Sequence, residues 1–164
     1  MVLDPVLASG RGEALANDET IAALRELIVP QSTVVTPNSL EARRLAARDS
    51  LQGCAQHLVA CGSEYVLITG THEATGEVVI NTLYDSGGVV REDRWPRLAG
   101  SYHGSGCTLA SAIAAAIANG LAVPEAVRDA QEFTWQTLVS GFRAGGGQLI
   151  PDRFFWAHEG RHDR

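Results

Sequence analysis

Two apolar runs, each halted by a residue that ends a strand cleanly, most constrain what this chain can fold into. Thr33-Val34-Val35-Thr36 stops at Pro37, and Tyr65-Val66-Leu67-Ile68-Thr69 stops at Gly70. Both are rich in β-branched residues and lack polar alternation, the pattern of short strands buried on both faces. Between them, Ser39 begins a segment suited to a short helix through Ala47. Ser50 begins another that reaches Cys61 and is ended by Gly62. Strand–helix–strand alternation with short connections predicts an α/β fold, a mostly parallel sheet flanked by helices.

The remaining segments extend that pattern. Val2-Leu3 is an apolar stub running into Asp4-Pro5, and residues 6–17, with Gly10 and Gly12, read as a loop. Asp18 is placed to cap a helix carrying Ile21, Leu24, Leu27 and Ile28 at helical spacing, with Pro30 as its stop. Residues 77–84 and 89–95 read as a hairpin around Gly87-Gly88. An alanine-rich helix follows His103-Gly104-Ser105-Gly106 and runs to Asn119, with Gly120 just past its end. Pro124 suits the first turn of a last helix reaching about Phe142, and Gly145-Gly146-Gly147 break the chain before Phe154-Phe155-Trp156. The expected division is residues 1–150 as the folded portion and 151–164 as a tail. Only three or four strands plus the hairpin are available, so the sheet is expected to be small or to be the second half of something larger.

Composition excludes several function classes. The 13 basic residues are all arginine, so a Walker A loop and Schiff-base chemistry, both of which need lysine, are ruled out. Phosphate handling must therefore rest on backbone amides, arginine or metal. A net charge of −6 with no basic stretch argues against nucleic acid or an anionic membrane as the partner. Three cysteines without a CxxC pair fit a reducing cytoplasm. No glycine-rich dinucleotide fingerprint follows a strand, and no G-x-S-x-G elbow is present.

Four places can carry chemistry. His103-Gly104-Ser105-Gly106-Cys107 opens a helix, where backbone N–H groups and the helix N-terminus can hold a phosphate or oxyanion beside Cys107. The same glycines equally suit close packing of the helix. Asp4-Pro5, at a strand's C-terminal end, offers a carboxylate for Mg²⁺ through water, or simply a turn. In Thr36-Pro37-Asn38-Ser39-Leu40-Glu41, Asn38 and Glu41 can face a cation or phosphate. They also have the spacing of a capping arrangement led by Asn38 or Ser39. Thr69-Gly70-Thr71-His72 is a strand-end turn. His57, His158 and His162 read as solvent-facing or tail residues. Cys54 and Cys61, on one helical face, read as buried rather than as metal ligands.

In this order, Val2-Leu3-Asp4-Pro5-Val6, Thr36-Pro37-Asn38-x-x-Glu41, Val66-Leu67-Ile68-Thr69-Gly70 and His103-Gly104-Ser105-Gly106-Cys107-Thr108-Leu109-Ala110-Ser111-Ala112 resemble a known family. It is the hydroxymethylpyrimidine/phosphomethylpyrimidine kinases of thiamin biosynthesis, which have the ribokinase-like fold. The resemblance runs on through Gly147-Gln148-Leu149-Ile150-Pro151-Asp152-Arg153-Phe154-Phe155. Its specific mark is Cys107, where ribokinase-like sugar kinases usually carry aspartate and the pyrimidine kinases carry cysteine.

The resemblance implies ATP-dependent phosphorylation of hydroxymethylpyrimidine and its monophosphate, with Mg²⁺. It implies that Gly104, Ser105, Gly106 and Cys107 form an anion hole, Cys107 being the candidate base. Asp4 and Glu41 would stand in the metal and water shell, Asn38, Thr69, Gly70 and His103 along ATP, and Val6 near the pyrimidine. Many family members have lysine at the position of Thr69. The likeness covers the family's C-terminal half, so the sheet is expected to be truncated on its N-terminal side and a homodimer is the expected assembly. Competing readings are a pyridoxine-type kinase and a non-catalytic nucleotide- or phosphate-binding remnant or partner subunit.

Overall fold

In the computed structural model, which describes residues 1–8 and 13–158, the chain divides into two compact units, Met1–Arg97 and Leu98–Arg164. The first unit holds the sheet. Its strands β1 (Val2–Leu3), β2 (Val34–Val35), β3 (Tyr65–Thr69), β4 (Val78–Asp85) and β5 (Gly88–Pro96) lie side by side in chain order. β1, β2 and β3 run parallel, with Leu3 beside Val35 and Val35 beside Val66. β4 returns antiparallel to β3, and β5 antiparallel to β4, forming the expected hairpin with its turn at Ser86-Gly87, since Gly88 already pairs with Asp85. The helix-connected runs thus form the parallel part and the short turn forms the antiparallel part, as connection length dictates.

Helices α1 (Asp18–Ala23), α2 (Ser39–Ala46) and α3 (Leu51–Ala60) belong to the same unit. Leu45, Ala46, Cys54, Ala55 and Leu58 from α2 and α3 join Val35, Val66 and Ile68 from the sheet in one buried cluster. Leu58, Val35 and Val66 are fully buried, each stabilising the fold by roughly 1.5–3 kcal/mol relative to exposure. Ser50 caps α3 by accepting the Gly53 N–H, and Gly62 takes the left-handed conformation (φ 116°) after its end.

Both ends of the first helical segment differ from the sequence expectation. Asn17, not Asp18, caps α1, because its side-chain oxygen accepts the Thr20 N–H at 2.8 Å. Asp18 instead lies in the first turn, where its charge favours the helix dipole. Pro30 does not stop the helix. After Ala23 the backbone widens to a π-turn over Leu24–Ile28 and then tightens to a 3₁₀ turn over Val29–Gln31. Proline is tolerated there because the opening turn does not use its missing N–H. Gly10, Gly12 and His162 lie outside the described residues.

The second unit holds α4 (Ser105–Ala118) and α5 (Val123–Val139), which pack on each other. α5 is shorter than the expected run to Phe142. Beyond it Phe142 pairs its backbone with Ile150, so that the chain doubles back across Gly145–Gly147. The returning segment is tied down by the Asp152 N–H to the Thr137 carbonyl at 2.9 Å. Phe133 of α5 meets Phe155 and Trp156 at ring-centroid distances of 6.1 and 5.9 Å. Among the described residues, no helix is long and apolar enough to cross a membrane.

Candidate functional site

In the first unit, the C-terminal ends of β1, β2 and β3 bring together most of the residues singled out by the sequence. Asn38 and Thr69 are bridge partners, and the Thr69 N–H donates to the Pro37 carbonyl at 3.0 Å. Gly70 follows directly. A Cβ at Gly70 would lie 2.2 Å from the Ile80 carbonyl oxygen, so only glycine allows β3 and β4 to approach here. The Gly70 N–H donates to the buried Asn81 side chain at 3.1 Å, a contact the sequence reading did not foresee.

Asn38 and Glu41 form the capping box of α2. The Asn38 side-chain oxygen accepts the N–H groups of Leu40 and Glu41, both at 3.0 Å. One Glu41 carboxylate oxygen accepts the Asn38 N–H at 3.0 Å, and the other accepts the Leu7 N–H at 3.1 Å. The capping arrangement is therefore the role the geometry shows for both side chains. With its oxygen committed to amides, the Asn38 NH₂ remains as a donor. Glu41 is 8% exposed, a buried carboxylate held by two backbone donors. Its contact to Leu7 also anchors the turn after β1, where Asp4 is half-buried and Val6 is exposed with a left-handed φ of 38°. A β-branched residue in that region is strained by about 1–3 kcal/mol, the kind of local cost found where a loop is shaped for contact.

Two arginines missed by the sequence reading organise the turn after β3. Arg43 of α2 forms a two-pronged ion pair with Glu73, at 2.8 and 3.0 Å. Hydrogen bonding to that guanidinium pulls the Glu73 carboxyl down to about 2. Arg97 donates to the carbonyls of Gly76, Thr71 and Glu73 at 2.9, 2.8 and 3.1 Å, gathering the turn around one guanidinium. Neither arginine is next to its partners in sequence, so no local motif signals the pairing.

In the second unit, the glycine motif opens α4 as expected. Gly104 takes the N-cap position in a left-handed conformation (φ 86°, ψ 13°) and supplies no side-chain cap. The first helical bond is Thr108 N–H to the Gly104 carbonyl at 3.0 Å. The N–H groups of Ser105, Gly106 and Cys107 thus precede the hydrogen-bonded ladder, and none of them has an acceptor among the described residues. Cys107 is exposed on this first turn. His103 is also exposed, and its N–H is fixed to the Leu149 carbonyl at 2.9 Å. Such a turn is a ready anion site: convergent donors with the positive end of a 14-residue helix behind them.

The model of the phosphomethylpyrimidine kinase family matches residues 1–152. The chain belongs to this family. Its relatives include the hydroxymethylpyrimidine/phosphomethylpyrimidine kinase of Streptomyces coelicolor, 38% identical over 165 residues, covering 95% of this chain and 59% of the relative. The pyridoxine kinase of Bacillus subtilis is 34% identical over 149 residues, covering 87% and 55%. Among solved structures, the pyridoxal kinase of Staphylococcus aureus in complex with ADP superposes with a TM-score of 0.83 at 29% identity, covering 93% of this chain and 57% of that one. The expected α/β, ribokinase-like fold is therefore the fold of this phosphomethylpyrimidine kinase family member. The chain spans little more than half the length of these relatives.

Proposed function

We propose that this chain carries the phosphate-handling half of an ATP-dependent kinase acting on hydroxymethylpyrimidine and its monophosphate. The observation that carries this reading is the open first turn of α4, with three unpaired amides over a left-handed Gly104 and Cys107 exposed beside them. Phosphoryl transfer asks a protein chiefly for positioning and for stabilisation of charge on the moving phosphate oxygens. The Ser105, Gly106 and Cys107 amides would supply the second need. Cys107 would take the proton of the pyrimidine's hydroxymethyl group as its oxygen bonds to the γ-phosphorus and the bond to the ADP leaving oxygen breaks. Among solved relatives, the ADP complex of the S. aureus pyridoxal kinase supports a nucleotide as the phosphate source.

Asn38, Thr69, Gly70 and His103 would lie along the nucleotide, the Asn38 NH₂ facing phosphate as a donor, and Val6 would touch the pyrimidine. Asp4 and Glu41 are hard oxygen donors of the kind Mg²⁺ prefers. Each Glu41 oxygen spends one lone pair on an amide and retains another, which suits a water-mediated rather than a direct hold. When bound, Mg²⁺ would neutralise charge on the phosphate oxygens. The reading includes a cytoplasmic setting. It also includes a homodimer, since β1 has a sheet neighbour on one side only among the described residues.

Incubating the chain with Mg-ATP and hydroxymethylpyrimidine, and following products by ³¹P NMR, tests the reading; the phosphorylated pyrimidine is the expected product. The likeness to a pyridoxine kinase supports a second reading, so pyridoxal is assayed in parallel. Product from pyridoxal alone would transfer the assignment. Nucleotide binding with no product from either would leave a non-catalytic binding subunit.

A further inference from the structure

Arg153 reaches the open turn of α4 from 45 residues away, and its Nε–H donates to the Thr108 hydroxyl at 3.0 Å. That hydroxyl in turn donates to the Gly104 carbonyl at 2.7 Å, so the guanidinium is docked on the residue that begins the helix. Its Nη2 lies 3.3 Å from where a Gly104 Cβ would stand, directly over the glycine turn. Among the described residues the docking uses only the Nε–H and leaves the outer fork of N–H groups for another partner. Among the described residues, no carboxylate lies within ion-pair distance of this guanidinium. The structure thus places an exposed positive charge beside the N-terminal end of a helix, where an anion would be attracted by both.

We propose that Arg153 is a phosphate-binding residue of the α4 turn, closing over an oxyanion that the Ser105, Gly106 and Cys107 amides hold from below. The assignment rests on the kinase reading for the identity of the anion as a nucleotide polyphosphate. In a chain without lysine, it gives this turn a formal cation in addition to its helix dipole. Arginine fits the role because its planar fork can take two phosphate oxygens at once, while Thr108 fixes the plane of that fork. Three tethers position Arg153. The Leu149 N–H donates to the Ser101 carbonyl at 2.9 Å, the Gln148 side chain to the Ser101 hydroxyl at 2.7 Å, and the Asp152 N–H to Thr137.

The test titrates inorganic tripolyphosphate into the full-length, ¹⁵N-labelled chain. The wild type is expected to show shifts at the Ser105, Gly106 and Cys107 amides and at the Arg153 Nε–H. Arg153→Gln is expected to bind about tenfold or more weakly, the loss typical of a charge-assisted pair. Arg153→Lys, which keeps the charge without the fork, falls between the two. Thr108→Val, which leaves Arg153 in place but undocks it, weakens binding severalfold. Equal affinity in wild type and Arg153→Gln, or no binding by the wild type, overturns the assignment. The kinase reading fails separately. If tripolyphosphate binding depends on Arg153 but no phosphorylated pyrimidine forms, the anion site stands and the reaction does not. If Arg153→Gln forms product at an unchanged KM for ATP and binds tripolyphosphate like the wild type, the reaction stands and Arg153 does not.

Discussion

The Glu41 carboxylate accepts the backbone N–H of Leu7 at 3.1 Å, joining the start of α2 to the turn after β1 across 34 residues. Its second oxygen caps its own helix through Asn38. One buried side chain therefore fixes two strand ends at once, and it stabilises the strained conformation of Val6 by holding the next residue.

Replacing Glu41 with glutamine tests this brace. Glutamine has one acceptor oxygen, and its NH₂ would face one of the two backbone donors. A buried amide left without a partner costs about 1–3 kcal/mol. The unfolding free energy should fall by that amount, seen as a lower urea midpoint at an unchanged slope. A midpoint equal to that of the wild type would mean that neither amide depends on the carboxylate.

Gly70 makes the complementary point on β3. Gly70→Ala would drive a Cβ into the Ile80 carbonyl, so β3 and β4 must part. We expect a loss of roughly 1–3 kcal/mol, the usual cost of forcing an extra carbon into a packed site. Asn81→Ala removes the acceptor of the same glycine's N–H and should cost about 1–3 kcal/mol. Thermal unfolding reads both, and a melting temperature unmoved by Gly70→Ala would contradict this strand spacing.

How legible these features were in the sequence depends on how far apart their parts lie. Tyr65–Thr69, the β4–β5 hairpin and the Gly104 turn were readable because a strand or turn is written in consecutive residues. The capping role at Asn38 was readable as one of two choices, and geometry decided it, since the amides of Leu40 and Glu41 both reach the Asn38 oxygen. The π-turn before Pro30 was not readable, because helical spacing at Leu24, Leu27 and Ile28 cannot distinguish a wide turn from an ordinary one. Arg97 and Arg153 were hidden for another reason. Their partners lie up to 26 and 45 residues distant, so only the fold reveals them.

The Arg43–Glu73 pair should give stability a specific pH dependence. Glu73 is depressed from an ordinary 4.5 to about 2, so the folded state favours its ionised form. That contribution is fully present above about pH 5 and fades as pH falls through 4.5 toward 2. Both side chains are partly exposed, which screens the pair and limits the effect to about 1 kcal/mol. Glu73→Gln should therefore be less stable than wild type at pH 6, and the gap should close near pH 2. A gap that stays constant across this range would assign the loss to packing instead.

Cys107 provides the sharpest test of the chemistry, because it sits exposed on the first turn of α4 and carries little of the fold. Cys107→Ala keeps the backbone amides that would hold the phosphate, while removing the only side chain on this turn proposed to accept a proton. Its unfolding midpoint should match that of the wild type, and tripolyphosphate should bind as before. Turnover of hydroxymethylpyrimidine should fall by about 10²-fold or more, the usual worth of a positioned general base. Cys107→Ser, with a less acidic group in the same place, should recover little of that loss. If Cys107→Ala turns over at the wild-type rate, the proton leaves by another route and the cysteine is a small residue at a helix start.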